Sequence, residues 1–140
     1  MGQNEMKINF TIEGEPVGKG RPRHGKYKTY TPAKTKAIEN NIAYFYKVNV
    51  KHYFEGYVKL KLDLYYSIAK SDSKKKKMMK LNNELRPNKK PDIDNVIKLV
   101  ADALNEVAYK DDAQIIELEC RKFYSDIARM EIILEDLNEE

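Results

Sequence analysis

The stretch YVKLKLDLYY at residues 57–66 decides the fold, because apolar and polar side chains alternate along it without a break. One face of this segment carries the aliphatic residues Val58, Leu60, Leu62 and Leu64. The opposite face carries Lys59, Lys61 and Asp63. A period of two residues is typical of a β-strand that buries one face. The segment therefore predicts a strand packed against a hydrophobic layer on one side only.

Three further segments have strand patterns. Residues 7–13 alternate through Ile8, Phe10 and Ile12. Residues 114–123 and 127–134 alternate in the same way, and the first of them places Ile116, Leu118 and Cys120 on one apolar face. The polar residues at 124–126 between them predict the turn of an antiparallel hairpin.

Two segments have helical patterns. Thr31 followed by Pro32 is a typical helix start, and it predicts a helix to about residue 50. Residues 93–106 carry an apolar stripe at helical spacing, with Asp92 or Asp94 as the expected N-cap. Residues 70–91, rich in Lys and Asn, predict a short helix or a mobile excursion. Four strands and two main helices without strict alternation predict one α+β domain over residues 1–140, with a mixed β-sheet.

The composition restricts the chemistry of any bound metal. The chain of 140 residues holds one cysteine, Cys120, and two histidines, so it has no intramolecular disulfide and offers a poor zinc site. Carboxylates are then the main available ligands, which favours Mg²⁺ or Mn²⁺. No stretch approaches the roughly 18 apolar residues of a membrane span, and the first residues do not resemble a signal peptide. We therefore expect a cytoplasmic protein without a membrane partner.

Charge is divided unevenly along the chain. Residues 1–90 hold 21 basic and 8 acidic residues, a net charge of +13, whereas residues 91–140 hold 5 and 14, a net charge of −9. A basic part attracts a polyanion and an acidic part can bind a divalent cation. Candidate phosphate contacts form two groups: Lys19, Arg21 and Arg23 in a loop rich in Gly and Pro, and Lys74, Lys75, Lys76, Lys77, Lys89 and Lys90 further along. For the run of four lysines, a simple solubilising role is an equal alternative.

Acidic residues are concentrated in KKPDIDNVIK at residues 89–98 and YKDDAQ at residues 109–114. Asp92 and Asp94 lie two residues apart beside Pro91, so both could bind one ion, and Asp111 or Asp112 could complete the site from a neighbouring strand. A carboxylate-held cation supports phosphodiester hydrolysis by neutralising the phosphate and acidifying a water.

Lys98 lies one helical turn after Asp94, where its ammonium could stabilise the transition state. Simpler readings stay open at this stage: Asp92 and Asp94 as helix caps, Asp94 and Lys98 as an i,i+4 ion pair, and Asp111 with Asp112 as a solvated turn. A calcium-binding loop is excluded, because its sixth and twelfth positions would be Ile97 and Ala103 in place of Gly and Glu.

The motifs KPDIDNVIKLVADALN, YKDDAQI and, at residues 18–23, GKGRPR closely resemble the signature of the RusA family of Holliday-junction resolvases, and the resemblance covers most of the chain. It implies a RusA-like fold, in which Asp92, Asp94 and Asp112 are the essential acidic residues and Lys98 is the catalytic lysine; Asp111 is a secondary candidate. It also implies Mg²⁺, with Mn²⁺ as a substitute, a homodimer, and paired nicks in a four-way DNA junction during DNA recombination and repair. The alternatives are a nuclease acting on flaps or forks, and a non-catalytic DNA-binding module.

Overall fold

The computed structural model describes residues 6–20, 23–24, 29–30 and 33–137. Its helices and strands, in chain order, are β1 Lys7–Glu13, β2 Arg23–His24, β3 Thr29–Tyr30, α1 Ala33–Asn49, β4 Val58–Ser67, α2 Lys74–Leu81, α3 Ile93–Ala103, β5 Ile115–Ser125 and β6 Arg129–Asp136. A 3₁₀ turn at Asp112–Gln114 leads into β5. The predicted cap of α1, at residues 31–32, lies outside the described residues.

The main sheet has four strands in the order β1, β6, β4, β5. β1 and β4 both run antiparallel to β6, whereas β5 runs parallel to β4. The sheet is therefore mixed, and the predicted α+β fold is confirmed. β2 and β3 form a separate antiparallel pair.

The predicted hairpin between the last two strands is wrong, because β4 lies between β5 and β6. The aliphatic face of β4 explains this order. Leu60, Leu62 and Leu64 are fully buried, and only a central position with a neighbour on each side covers such a strand completely.

Helices α1 and α3 pack against each other and cover one face of the sheet. Ile42 and Tyr46 of α1 join Val96 and Val100 of α3 in the core, together with the aliphatic face of β4. The face of β4 that carries Lys59, Lys61 and Tyr65 lies on the other side, which we call the open face.

The apolar face predicted for β5 is only partly buried. Leu118 pairs with Leu60 on the helix side, but β5 is an edge strand, and no described strand pairs with its outer edge. Ile116 and Leu118 remain 52% and 49% exposed. Alternation alone did not reveal that this strand ends the sheet.

Of the alternatives for residues 70–91, the structure contains a helix at Lys74–Leu81, begun by Ser73, whose hydroxyl accepts a hydrogen bond from the amide of Lys76. Within the described residues, no helix has the length and apolarity needed to cross a membrane.

Candidate active site

Asp92 and Asp94 lie at the start of α3, and neither side chain caps the helix. Asp92 occupies the N-cap position but makes no side-chain capping hydrogen bond; the Nζ of Lys90 donates to it at 3.0 Å. Asp94 is exposed in the first turn and makes no side-chain hydrogen bond or ion pair among the described residues. The positive end of the helix dipole still favours both charges. Both carboxylates are therefore accessible to a ligand.

The backbone around these aspartates is held from two directions. The amide of Lys19 donates to the carbonyl of Asn95 at 2.8 Å, and the hydroxyl of Tyr66 donates to the carbonyl of Pro91 at 2.8 Å. A Cβ on Gly18 would come within 2.9 Å of the Asn95 Cβ and 3.0 Å of the Pro91 Cβ. Glycine is required here because the loop before α1 packs directly on the first turn of α3.

Lys98 is paired along α3 with Asp102 and not with Asp94. Its Nζ lies 3.4 Å from the Asp102 carboxylate, in an i,i+4 ion pair. Because 63% of the Lys98 side chain is exposed, this pair adds little to stability. The ammonium can therefore reorient toward a ligand at low cost.

Lys19 connects α1 to α3 through two ion pairs. Its Nζ lies 2.5 Å from the Glu39 carboxylate and 3.1 Å from the Asp102 carboxylate. Burial by itself lowers the pKa of Lys19, but the hydrogen bonds and charges of Glu39 and Asp102 outweigh it, so the pKa lies above its ordinary value. The role of Lys19 as a phosphate contact remains a prediction, and in this structure its ammonium is already engaged.

The two neighbouring aspartates before β5, Asp111 and Asp112, differ in their contacts. The Asp111 carboxylate accepts from the Ala113 amide at 2.9 Å and forms a capping box with Gln114. Asp112 is not used in this cap. Burial, followed by the negative charges of Asp111 and Asp102, raises the pKa of Asp112, and Lys98 partly opposes this. The Asp112 carboxylate is therefore the more available of the two, and it lies in the same group of charges as Asp102 and Lys98.

Oxygen donors of this kind suit Mg²⁺ or Mn²⁺ in their chemistry. In geometry, the described residues contain no group of three or more carboxylate, histidine or cysteine side chains close enough to hold a metal. Asp92 and Asp94 lie at the first turn of α3, whereas Asp112 lies near Asp102, about 12 Å further along the helix at 1.5 Å per residue. The carboxylates therefore suit Mg²⁺ or Mn²⁺ in their chemistry, but Asp112 lies apart from Asp92 and Asp94.

The predicted DNA contacts are distributed over several surfaces. Lys74, Lys75 and Lys76 are exposed on α2, and Lys77 is half-buried. Lys89 and Lys90 are exposed just before the aspartates. Arg21 lies outside the described residues; Arg23 belongs to β2, but its side chain is outside them.

Sequence reasoning missed two residues that hold the backbone and charges of the site in place, Glu39 and Tyr66. Glu39 lies on a helix whose rotation relative to α3 is set by tertiary packing, and Tyr66 resembles any buried strand residue. Asp102 lies two helical turns beyond Asp94 and one turn beyond Lys98, on the same face of α3.

Replacing Asp112 with Asn should raise the melting temperature at pH 7 when divalent metal is absent. The raised pKa means that the folded state binds the Asp112 proton more tightly than the unfolded state does. Stability therefore falls as pH rises from the ordinary pKa through the raised one, and the penalty is present above the raised pKa. Thermal melts in EDTA at pH 7 measure the gain, which should vanish at a pH below the ordinary value of 3.8. A lower melting temperature at pH 7 would show that the carboxylate is stabilising.

Two comparisons with known proteins bear on the family of this chain. The family model for endodeoxyribonuclease RusA matches residues 13–135, which is most of the chain. The uncharacterized protein YqaN of Bacillus subtilis (strain 168) is 40% identical over 141 residues, covering 94% of this chain and 97% of that protein. Both the family signature and the residues that build the site lie inside the matched segment. The chain therefore belongs to the RusA family of endodeoxyribonucleases.

Proposed function

We propose that this protein is a metal-dependent endodeoxyribonuclease that resolves four-way DNA junctions by paired phosphodiester hydrolysis. The observation that carries the proposal is that Asp92 and Asp94 are accessible at the start of α3 and make no capping hydrogen bond. A helix start that needs carboxylates only for capping would use their oxygens on its own amides. Here no amide of the helix uses those oxygens, and the partner of Asp92 among the described residues is the exposed ammonium of Lys90, beside a loop packed closely on the same turn.

Each acidic side chain has a role consistent with its surroundings. Asp92 and Asp94 would hold a divalent cation, and Asp112, which lies near Asp102 about 12 Å further along α3, would have to approach them from the start of β5 to bind the same ion. When bound, such a cation supplies charge neutralisation at the phosphate and a more acidic water. Asp111 would support Asp112 by fixing the turn, since its own carboxylate is used by the Ala113 amide.

Lys98 would stabilise negative charge on the phosphate as it develops. Its ammonium is exposed and weakly paired, so it can leave Asp102 for a phosphate oxygen. Lys19 and Glu39 can support the site without contacting DNA. Their ion pairs keep Asp102 in place, and the charge of Asp102 contributes to the raised pKa of Asp112.

The experiment that tests this function is a substrate panel. Labelled four-way junction, flap, fork and linear duplex of matched sequence are incubated with the protein, with Mg²⁺ and with EDTA. We expect symmetric nicks in the junction only, and only with Mg²⁺. Preferred cutting of flaps or forks would assign a different nuclease substrate. Junction binding without nicking under any metal condition would support a non-catalytic module.

A homodimer is part of this proposal, because two strands of a junction are cut and one chain carries one set of aspartates. The exposed apolar pair Ile116 and Leu118 on edge strand β5 supports self-association, since a free strand edge readily pairs with another strand. Sedimentation at micromolar protein should give twice the chain mass of 16.4 kDa. The Leu118→Lys variant should shift the mass toward the monomer, whereas Ile127→Lys, at a position 60% exposed in a turn, should not. A wild-type monomer both free and on a junction would contradict the paired-nick mechanism.

A further inference from the structure

Four aromatic side chains are gathered at the carboxyl ends of β4 and β5, two on each face of the sheet. On the open face, the rings of Tyr65 and Phe123 stack with centroids 5.3 Å apart and an interplanar angle of 23°. On the helix side lie Tyr66 and Tyr124, which are paired in the same register. We call the Tyr65–Phe123 pair the aromatic platform.

Three guanidinium groups surround the aromatic platform. Arg129 lies 3.9 Å from the Tyr65 ring centroid, and Arg86 and Arg121 lie 4.3 Å and 5.4 Å from that of Phe123. Arg129 is paired with Glu131, and Arg121 with Asp63.

Arg86 differs from the other two arginines. Its side chain has no acidic partner among the described residues; it is exposed, and its Nε donates to the carbonyl of Lys122 at 2.6 Å. It comes from the segment after α2 and not from the sheet itself. Its charge is therefore available to an anion beside the rings.

A continuous series of contacts connects this platform to the aspartates. The Nζ of Lys122 donates to the carbonyl of Lys89 at 2.7 Å, and the ammonium of Lys89 lies 5.9 Å from the Tyr66 ring centroid. Tyr66 in turn donates to Pro91, next to Asp92. Within the described residues, Arg86, Lys89 and Lys122 make no ion pair with a carboxylate. A path of available positive charge thus leads from the start of α3 around the edge of β5 to the open face.

The other half of β5 offers no comparable available positive charge. Glu117 and Glu119 project from the open face near its beginning, and Glu119 is paired with Lys59, Lys61 and Arg121, so the basic side chains there are already engaged. The cationic path is confined to the end of the strand where the aromatic rings lie. The available cationic side chains and the aromatic platform therefore lie at the same end of edge strand β5.

We propose that the aromatic platform binds an unpaired base of a DNA strand that leaves the catalytic centre, with Arg86 on the adjacent phosphate; this subsite rests on the proposed nuclease function for its biological substrate. Aromatic rings can stack on a base only where its face is free, so the ligand is single-stranded or locally unpaired DNA. Arg86 would move from the face of Phe123 to the phosphate as the base takes its place. Its side chain is exposed and makes one hydrogen bond to the rest of the described chain, which permits this exchange.

The chain contains no tryptophan, so one substitution gives a direct optical test. In the Phe123→Trp variant, the indole would be the only tryptophan, and a stacked base quenches its fluorescence. Titration with short oligothymidylate should give saturable quenching that weakens as salt is raised. The matched control is Tyr44→Trp, at a position 70% exposed on α1, which should show no saturable quenching.

The affinity of single-residue variants provides the second readout. Phe123→Ala should bind oligothymidylate about tenfold more weakly, the usual effect of losing one stacked base, with little change on linear duplex. Arg86→Ala should weaken it by about fourfold and reduce the salt dependence by about 0.7 in the log–log slope for a single strand.

Each result supports or overturns the subsite without depending on cleavage. A folded Phe123→Trp variant that shows no quenching overturns it, even if junctions are cut. Quenching in a protein that cuts no DNA supports the subsite and removes the proposed function. If Phe123→Trp does not fold, unchanged oligothymidylate affinity in folded Arg86→Ala overturns the subsite.

Discussion

The Asp94→Asn variant is expected to lose junction cleavage by about a hundredfold or more while it keeps its affinity for the junction and its stability. The substitution removes a charge proposed to bind the cation, and loss of one preorganised electrostatic contact in an active site typically costs about this much. Stability should be preserved because Asp94 is exposed and makes no side-chain hydrogen bond or ion pair with another described residue.

Single-turnover cleavage with saturating protein measures this effect separately from binding. The matched control is Glu106→Gln, which removes an exposed carboxylate just after α3 and should leave the rate unchanged. Equal rates for wild type and Asp94→Asn would remove Asp94 from the site. Loss of junction binding together with cleavage would assign Asp94 to DNA contact or folding.

Replacing Lys19 with Met should lower the free energy of unfolding by about 2 to 3 kcal/mol, somewhat less than for a fully buried pair. The variant would leave Glu39 and Asp102 without their shared cation, although their side chains are only 10% and 19% exposed. For a domain of this size the loss corresponds to a fall in melting temperature of roughly 10 °C. Differential scanning calorimetry measures it directly.

A second substitution identifies the cause. In the Lys19→Met background, Glu39→Gln should restore part of the melting temperature, because it removes the uncompensated buried charge. Lys36→Met, at an exposed position of α1, should change little. If Lys19→Met melts like wild type but binds DNA more weakly, Lys19 acts as a phosphate contact and not as a link between helices.

The sequence predicted the elements whose pattern is set locally. β1 was predicted with its observed bounds, and the aliphatic face of β4 is fully buried, because alternation follows directly from which side of a strand is covered. Most of the apolar stripe predicted at residues 93–106 is buried, at Val96, Val100 and Leu104, but Ile93 is 37% exposed and the helix ends at Ala103. The order of the strands was not predicted, since a short turn between β5 and β6 favoured a hairpin, and only the burial of β4 explains why it separates them.

Some features of the candidate site could likewise be predicted from the sequence, and others could not. The positions of Asp92 and Asp94 at a helix start followed from Pro91 and the stripe behind them. The ion pairs of Lys19 did not, because Glu39 and Asp102 lie on different helices, and their approach depends on how α1 and α3 pack. Sequence spacing also did not distinguish Asp111 from Asp112. The hydrogen bonds of the turn do, because Asp111 caps the turn and Asp112 does not.

A supercoiled plasmid that extrudes a cruciform tests the central claim most directly, because its four-way junction yields different products for paired and single cuts. With Mg²⁺, the wild-type protein should convert the plasmid to linear molecules cut at the base of the cruciform, and EDTA should prevent all conversion. A plasmid without the cruciform should remain supercoiled. Supercoiled plasmid unchanged in Mg²⁺ and in Mn²⁺, at protein concentrations that saturate junction binding, would contradict the account.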